Sequence, residues 1–245
     1  MKEIIVQKYG GACLASIDDI KRVAKRVIET KQQGYNLLVV VSAMGDTTDH
    51  LLAEANQITL DPKRRELDML LTAGERISMA LLSMAINAHH IPALSLTGSQ
   101  GGIITNSNHT EADIIDIRGE RIKESLLEEK VVIIAGFQGV SFEKEITTLG
   151  RGGSDTTAVA LAAHFKAKRC ELFKDVNGIY TEDPKKNLQA KKLQYVSYDD
   201  ALAIIRRGSV VLHEKSIELA KKFGVVLHVR SGFTNEDGTV IGMNN

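Results

Sequence analysis

Two short runs made only of apolar residues, 37–41 and 131–134, constrain the fold more than any other feature. A strand in which every side chain is apolar is typical of a sheet that is covered on both faces. Other strand-like runs lie at 4–6, 93–96, 171–173 and 225–227, and helical patterns alternate with them at 16–34, 64–88, 117–128, 154–166, 198–206 and 214–223. This alternation predicts an α/β fold, a three-layer αβα sandwich with a mainly parallel open sheet.

Composition narrows the class of protein. The 245 residues include 31 Lys and Arg and 31 Asp and Glu, so the formal net charge is zero, which argues against nucleic acid as the main partner. No apolar run reaches the roughly 20 residues needed to cross a bilayer, and the first residues lack the pattern of a signal peptide. The spacing of Cys13 and Cys170 suggests neither a disulfide framework nor a zinc site. We therefore expect one cytoplasmic domain over residues 1–245, with no nucleic-acid or membrane partner.

The loops that follow the predicted strands are unusually rich in glycine. They occupy residues 8–11, 42–49, 97–102, 135–139 and 150–155. For any single loop a tight turn is the commoner explanation. Five such loops, two of which carry Lys8 and Arg151, favour a ligand edge where backbone N–H groups meet anionic oxygens, because open α/β sheets bind ligands beyond the carboxyl ends of their strands.

Several familiar phosphate-binding and catalytic motifs are missing. The sequence contains no Walker loop, no complete Gly-x-Gly-x-x-Gly fingerprint, no protein-kinase motif set and no Gly-x-Ser-x-Gly elbow. The seven histidines do not have metal-ligand spacing. P-loop nucleotide hydrolysis, dinucleotide-dependent redox chemistry and triad hydrolysis are therefore unsupported.

Longer segments resemble the catalytic domain of aspartate kinases, in the amino-acid kinase superfamily. The matching segments are residues 8–11, 39–44, 71–78, 95–98, 135–140, 147–158 and 175–184. The last is shared widely across the superfamily. The Gly-Arg-Gly-Gly-Ser-Asp run at 150–155 and the Gly-Glu-x-x-Ser helix at 74–78 are much more specific to aspartate kinases.

The resemblance implies an enzyme that moves the γ-phosphoryl group of ATP, with Mg²⁺, onto the side-chain carboxylate of L-aspartate. This reaction opens the aspartate-derived amino-acid pathway. A free carboxylate is already deprotonated at pH 7, so no general base is needed. The demand on the protein is to hold two anions in line while charge spreads over the transferring group.

The resemblance also implies roles for individual residues. Lys8 would bridge the phosphoryl groups and Asp155 would orient its ammonium, with Gly10, Gly11 and Ser42 beside the phosphates. Arg151 would clamp the substrate α-carboxylate and Glu75 would pair with its α-ammonium, in a pocket completed by Thr48, Phe137 and Ser154. The nucleotide would be held by Lys174, Asp175, Tyr180 and Lys185. No residue is assigned as a metal ligand.

These assignments have plainer alternatives. Asp155 is also compatible with a helix N-terminal acid capped by Ser154, and Glu75 with a solvated residue paired to Arg76. Taken singly, Phe137 is more typical of a core residue and Tyr180 of a turn. The joint match of Lys8, Glu75, Arg151 and Asp155 favours the functional interpretation for those four.

Some positions depart from the family pattern. Ala12-Cys13 replaces the usual Thr-Ser, although the Cys13 thiol could reach similar space as a weak donor. Val210 stands where many members have a phosphate-binding lysine, and Lys174 and Lys185 replace Thr and Arg; a returned cation at Lys174 is one hypothesis. His213 is followed by Glu-Lys instead of Pro-Arg. Two alternatives therefore stay open, a kinase for another amino acid and a low-turnover nucleotide- or amino-acid-binding regulatory subunit.

The sequence stops near the end of the family's kinase domain, without the paired ACT domains that bind lysine or threonine in most aspartate kinases. From this we expect the chain by itself to be insensitive to both amino acids. Whether it is a natural catalytic-only enzyme or a piece of a longer one stays open. A homodimer is expected from the resemblance alone.

Overall fold

The structure is a computed structural model that describes residues 2–182, 187, 189–208 and 211–243, so Lys185 and Val210 lie outside the described residues. The strands are β1 Ile4–Tyr9, β2 Asn36–Val41, β3 Ala93–Leu96, β4 Ile103–Thr105, β5 Ile114–Ile117, β6 Val131–Ala135, β7 Gln138–Ser141, β8 Ile146–Thr148, β9 Arg169–Lys174, β10 Ile179–Tyr180, β11 Lys192–Leu193, β12 Tyr195–Ser197, β13 Leu227–Ser231 and β14 Thr239–Gly242. The helices are α1 Ile17–Gln32, α2 Thr47–Ile58, α3 Arg64–Asn87, α4 Glu120–Leu127, α5 Gly153–His164, α6 Tyr198–Arg206 and α7 Glu214–Phe223, and a short 3₁₀ helix, Gly11–Leu14, follows β1.

The main sheet is open and mostly parallel, as predicted. Its strand order is β12-β14-β13-β9-β1-β2-β6-β3, and the antiparallel neighbours within it are β13 and β14. After β1 the chain adds β2, β3 and β6 on one side of it, then β9 and β13 on the other. The strand order therefore reverses at β1, and in open α/β sheets the crevice at such a reversal, beyond the carboxyl ends of the strands, is where ligands bind.

Alternating side chains of the strands are buried in two separate hydrophobic cores, one on each face of the sheet. Ile4 and Val6 of β1 face the core that includes α4, α5, α6 and α7, whereas Ile5 and Tyr9 face the core that includes α1 and α3. This alternation follows from the two-residue period of a strand. Because both faces of the sheet are covered, its central strands are apolar throughout, and the predicted three-layer αβα sandwich is confirmed.

Smaller elements complete the chain. A four-stranded sheet has the order β5-β4-β7-β8, and β10 and β11 form an antiparallel pair. The strands of this second sheet have only three or four residues each, so they carry too few alternations to be recognised from the sequence. Helix α2 was also not predicted, because Ala55 is its one buried residue and it has little apolar pattern.

Two predicted elements differ from those in the structure. The strand predicted at 225–227 begins at Leu227, because the amide of Val225 instead donates to Ala220 O and closes the end of α7 after Gly224, whose φ is +67°. The helix predicted at 117–128 begins at Glu120, since Gly119 has a φ of +64° and the preceding residues form β5. By contrast, the predicted start of the first helix is confirmed: Ser16 is the N-cap of α1 and forms a capping box with Asp19.

Helix α3 is long and apolar enough, by length and composition, to pass as a membrane span. Helices buried in the core of water-soluble proteins commonly have the same length and composition. Here Leu82 and Ile86 are fully buried in the core beside the sheet, and α3 lies against α1 and α2.

Candidate active site

A cleft of about 310 Å³ opens at the carboxyl ends of β1, β2 and β9, where the strand order reverses. Lys8 lies one residue before the end of β1, Ser42 follows β2, and Lys174 is the last residue of β9. Most of the residues predicted for the site line this one cleft: Lys8, Gly11, Ser42, Thr48, Glu75, Phe137, Arg151, Ser154, Asp155 and Lys174. Residues up to 166 positions apart in the sequence are thus brought together at one sheet edge.

Two lysines share one carboxylate on the floor of the cleft. Lys8 Nζ lies 2.8 Å from Asp155 Oδ1, and Lys174 Nζ donates to Asp155 Oδ2 at 2.6 Å. All three side chains are largely buried, with exposed fractions of 6%, 16% and 4% for Lys8, Lys174 and Asp155. Because one carboxylate neutralises only one of the two ammonium groups, the floor of the cleft keeps a positive charge that an anion can use.

The pKa shifts in this cluster follow from burial and charge. Burial by itself raises the pKa of Asp155, but the ammonium groups of Lys8 and Lys174 outweigh it and hold that pKa well below its ordinary value. Burial, reinforced by the charge of Lys8, lowers the pKa of Lys174 against the opposing effect of Asp155. Asp155 is therefore ionised across the physiological range, and it holds both ammonium groups in place.

Backbone conformation places Asp155 in the first turn of α5. Gly152 is the N-cap of this helix with a φ of +77°, and a side chain there would overlap the His213 ring. The interpretation of Ser154 as the cap is wrong, because Gly152 holds that position. The interpretation of Asp155 as only a helix N-terminal acid is also wrong, because its side chain is buried and paired with two lysines. The N-terminus of α5 lines the cleft, where the positive end of the helix dipole favours an anion.

Glu75 reaches the cleft from the middle of α3. Gly74 allows the approach, since the Cβ atom that it lacks would lie 2.7 Å from Ala43 Cβ in the loop after β2. The Ala43 amide donates to Glu75 Oε1 at 3.1 Å, and Ser78 Oγ donates to Ser42 O at 2.7 Å, so one face of α3 fastens this loop. The Gly-Glu-x-x-Ser motif is thus a docking surface for the loop as well as a source of charge.

The Glu75 carboxyl is buried without a cation of its own. It is 3% exposed, and Oε2 has no hydrogen-bond partner within the described part of the chain. Burial raises its pKa from the ordinary value of 4.5 to about 7, against the smaller opposing effects of the Ala43 amide and Lys8. The interpretation of Glu75 as a solvated surface residue is therefore wrong. A ligand ammonium at Oε2 would supply the missing partner.

Phe137 and Arg151 form the outer part of the cleft. Phe137 has a φ of +68°, an uncommon conformation for an aromatic residue, and its amide donates to Thr157 Oγ1 at 3.2 Å. The Cβ atom absent from Gly153 would lie 2.9 Å from a Phe137 ring carbon, so the start of α5 packs directly on that ring. Arg151 is exposed at the same edge, where its guanidinium is accessible to an anionic ligand.

Some predicted residues lie elsewhere. Asp175 is exposed and does not line this cleft, and the Tyr180 hydroxyl donates to Asn177 Oδ1 at 2.6 Å in the β10 region. Gly10 lies at the edge, where a Cβ would be 3.6 Å from Lys8 Nζ. The hypothesis that the Cys13 thiol reaches the phosphate path is wrong, because this buried thiol donates to Phe173 O and packs against Gly232.

Other lining residues escaped prediction from the sequence. They are Ala43, Gly45, Gly150, Gly152, Gly153, Val211, Leu212 and His213. The glycines and Ala43 lie inside segments already flagged as glycine-rich, so proximity to a functional loop was the available signal. Val211, Leu212 and His213 follow Val210, in a stretch already noted for its departures from the family pattern, and they lie at the cleft where α7 packs on α5.

The cleft offers no ready-made metal cage. Across residues 2–182, 187, 189–208 and 211–243, no group of three His, Cys, Asp or Glu side chains is arranged to hold a metal ion. Asp155 is already engaged by two ammonium groups, which makes it a poor ligand for a cation.

The open α/β sandwich, with two lysines and glycine-rich loops at the carboxyl edge of its sheet, defines a class of proteins suited to anionic ligands, and comparison with known proteins identifies the family. The sequence model of the amino acid kinase family matches residues 3–231. The chain belongs to this family.

Within the family, the chain is similar to aspartokinases. It is 50% identical over 238 residues to the aspartokinase of Bacillus sp. (strain MGA3), covering 97% of this chain and 58% of that protein, and 50% identical over 239 residues to that of Corynebacterium glutamicum, covering 97% and 57%. The chain therefore spans a little over half the length of these curated relatives.

Solved structures of aspartate kinases are also similar to this chain. The aspartate kinase from Synechocystis superposes with a TM-score of 0.89 at 44% identity, over 98% of this chain and 40% of that one. E. coli aspartokinase III in complex with aspartate and ADP gives 0.90 at 25% identity, over 99% and 65%. The UMP kinase of Bacillus anthracis, at 19% identity and a TM-score of 0.73, shares the fold alone.

Proposed function

We propose that this chain catalyses ATP-dependent phosphorylation of the side-chain carboxylate of L-aspartate, giving 4-phospho-L-aspartate and ADP. The observation that carries the proposal is the make-up of one cleft. Two lysines share one carboxylate there, and an accessible arginine lies at the edge. A buried glutamate beside them has one oxygen without a partner among the described residues. The aspartokinase relatives at 50% identity support L-aspartate as the substrate.

The phosphoryl groups are assigned to the floor of the cleft. There the ammonium groups of Lys8 and Lys174 lie side by side, held by Asp155, and the N-terminus of α5 lines the same cleft. Preorganised cations of this kind stabilise the charge that develops on a transferring phosphoryl group, and they do so without reorganising. Lys8 is the proposed cation for the transferring group itself. Magnesium, carried by ATP, supplies further charge neutralisation.

Lys174 accounts for part of the departure from the family pattern. The resemblance places the missing cation at Val210, which lies outside the described residues. In the structure Lys174 supplies a second ammonium directly beside Lys8. We therefore assign Lys174 to the nucleotide phosphates. Asp175, Tyr180 and Lys185 stay predicted nucleotide contacts, of which the first two lie outside the cleft lining.

The amino-acid end of the substrate is assigned to Glu75 and Arg151. Glu75 Oε2 accepts from the α-ammonium, and Arg151 donates to the α-carboxylate, with Thr48, Phe137 and Ser154 around the substrate. The side-chain carboxylate is then free to face the phosphates. One of its oxygens attacks the γ-phosphorus, the bond from that phosphorus to the β,γ-bridging oxygen breaks, and ADP leaves with the electron pair. No proton has to be removed from the nucleophile.

The test is ATP consumption with L-aspartate and trapping of the acyl phosphate as a hydroxamate. We expect aspartyl hydroxamate from the wild type, at least about 100-fold less from Lys8→Met, and wild-type rates from the exposed control Lys21→Met. Glutamate run in parallel separates an aspartate kinase from a kinase for another amino acid. ATP binding with no product from any acidic amino acid would instead favour a binding-only regulatory subunit.

Further expectations extend the proposal to the cell. The product would open the aspartate-derived amino-acid pathway, in the cytoplasm, and the protein would be a homodimer insensitive to lysine and threonine as this chain alone. Light scattering measures the oligomeric state. The hydroxamate assay with millimolar lysine or threonine measures the response to these amino acids, and inhibition by either would contradict the expected insensitivity.

A further inference from the structure

A buried carboxylate that the proposed mechanism does not use lies two helical turns from Glu75. It is Asp68, on the same helix α3, and its side chain is fully buried with an exposed fraction of 0%. Glu75 is seven residues further along, which places the two about 10.5 Å apart along the helix axis. On helix α3 the motif segment identified in the sequence begins only at residue 71, so Asp68 was not flagged.

Asp68 joins three segments of the chain. Thr148 Oγ1, at the end of β8, donates to Asp68 Oδ1 at 2.6 Å. The Thr110 amide donates to the same oxygen at 3.0 Å, and His109 Nδ1 lies 2.5 Å from Asp68 Oδ2. Both Thr110 and His109 belong to the connection between β4 and β5. The carboxylate is therefore saturated by groups from β8 and from that connection.

The segments held by Asp68 support the turn that carries Arg151. Thr148 is three residues before Arg151, and its carbonyl accepts from the Ala112 amide at 2.8 Å. Gly150, with a φ of +71°, lies so close to the connection that a Cβ there would be 3.1 Å from Thr110 O. The Arg151 turn thus rests on residues whose position is set by Asp68.

A fully buried carboxylate is weak evidence for stability, because removing a charge from water is costly and apolar packing often serves the fold as well. What such a group supplies is fixed geometry, through several charge-assisted hydrogen bonds at once. Here the geometry is that of two substrate contacts. Glu75 is part of α3, and the Arg151 turn is tied to α3 through Asp68, so one rigid helix sets the spacing between them.

We propose that Asp68, with His109 and Thr148, is a positioning residue that holds the Arg151 turn at the distance from Glu75 that an α-amino acid requires. The inference rests on the proposed function for the identity of the substrate. It assigns Asp68 to the amino-acid end of the cleft, away from the Lys8 and Lys174 ammonium groups. Its effect should therefore appear in the KM for the amino acid and leave the KM for ATP unchanged.

The first test compares Asp68→Asn and a matched pair at Thr148. Misplacing a binding group by about 1 Å can cost up to 100-fold. We expect at least a tenfold rise in the KM for L-aspartate in Asp68→Asn and Thr148→Val, with the KM for ATP within twofold of wild type. Thr148→Ser, which keeps the hydroxyl, should restore the wild-type KM. Asp116→Asn, at an exposed position of β5, is the control.

A second measurement does not depend on turnover. Amide hydrogen exchange over residues 149–153 reports directly on the turn, and we expect faster exchange there in Asp68→Asn and Thr148→Val than in wild type or Asp116→Asn. Unchanged exchange in this turn overturns the proposal, even if the wild type makes no aspartyl hydroxamate and the proposed function itself fails. Equal rises in the KM for ATP and for L-aspartate also overturn it, since they indicate general damage to the fold.

Discussion

Replacing Glu75 by glutamine should stabilise the protein at alkaline pH while weakening substrate binding. The change keeps the size of the side chain and the acceptor for the Ala43 amide, and it removes the buried charge. Because burial raises the pKa of Glu75 from 4.5 to about 7, the folded protein binds more protons than the unfolded chain between these values. Stability of the wild type therefore falls as the pH rises from about 4.5 through 7.

The magnitude follows from the same two values. At about 1.4 kcal/mol for each tenfold change in proton affinity, the ionised Glu75 costs about 3 kcal/mol of unfolding free energy at pH 8 and under about 1 kcal/mol at pH 5. Glu75 is 3% exposed, so solvent screening removes little of this cost. With urea slopes of about 3 kcal/mol per molar, Glu75→Gln should raise the unfolding midpoint by about 1 M at pH 8.

The assay is urea unfolding of wild type and Glu75→Gln at pH 5, 6.5 and 8, with Glu54→Gln, at an exposed position of α2, as the control. We expect a gap between wild type and Glu75→Gln that widens with pH, and none for the control. A gap of the same size at pH 5 and pH 8 would refute the reasoning, since it would show that the Glu75 carboxyl is not destabilised by burial.

The same carboxyl predicts the pH dependence of substrate binding. In the proposed function a substrate ammonium pairs with the ionised form of Glu75, so binding below about pH 7 must first displace a proton. We expect the KM for L-aspartate to rise as the pH falls below 7, approaching tenfold for each pH unit, and the Glu75→Gln variant to show a raised KM without this dependence. Initial rates at saturating ATP between pH 5.5 and 8.5 measure it; parallel profiles for the two proteins would assign the titration to another group.

Three further predictions test other parts of the site. Lys174→Met should raise the Kd for ATP by 10- to 100-fold, which is the loss expected for one charge-assisted contact of about 1.5–3 kcal/mol. The Kd for AMP, measured in the same way by titration calorimetry, should stay within about threefold of the wild-type value. Equal losses of affinity for both nucleotides would contradict a phosphate role for Lys174. Gly74→Ala should destabilise the protein by about 1–3 kcal/mol in thermal unfolding, because its Cβ would lie 2.7 Å from that of Ala43; an unchanged melting temperature would show that the loop yields freely. Cys13 and Cys170 are fully buried, and burial raises the pKa of both thiols, so a thiol reagent at pH 8 should label neither in native protein and both in urea; rapid native labelling would mean that the cores open readily.

Much of the site was recognisable from the sequence because its residues lie in contiguous segments. The run that contains Arg151 and Asp155 and the segment that contains Glu75 are local patterns, and local patterns survive without coordinates. Fold class was predictable for a related reason, since strands covered on both faces must be apolar throughout, as residues 37–41 are.

What the sequence left undecided are relations between segments. Lys174 and Asp175 are neighbours in the chain and both were assigned to the nucleotide, yet only Lys174 lines the cleft. Successive side chains at the end of a strand point to opposite sides, and which side faces the cleft depends on the sheet and its covering helices. The position of the Cys13 thiol was also undecided, because it is set by Phe173 and Gly232, which lie more than 150 residues further along the chain.

The sequence by itself determined the class of fold and the inventory of charged groups, because periodicity and local motifs are properties of short segments. Only the tertiary structure decided that Lys8 and Lys174 share one carboxylate, that Glu75 is buried with a free oxygen, and that Asp68 supports the Arg151 turn. Each of these depends on the distances between residues that lie far apart in the chain. Such distances are set by how the sheet and helices pack, so they follow from the whole fold and from no single segment.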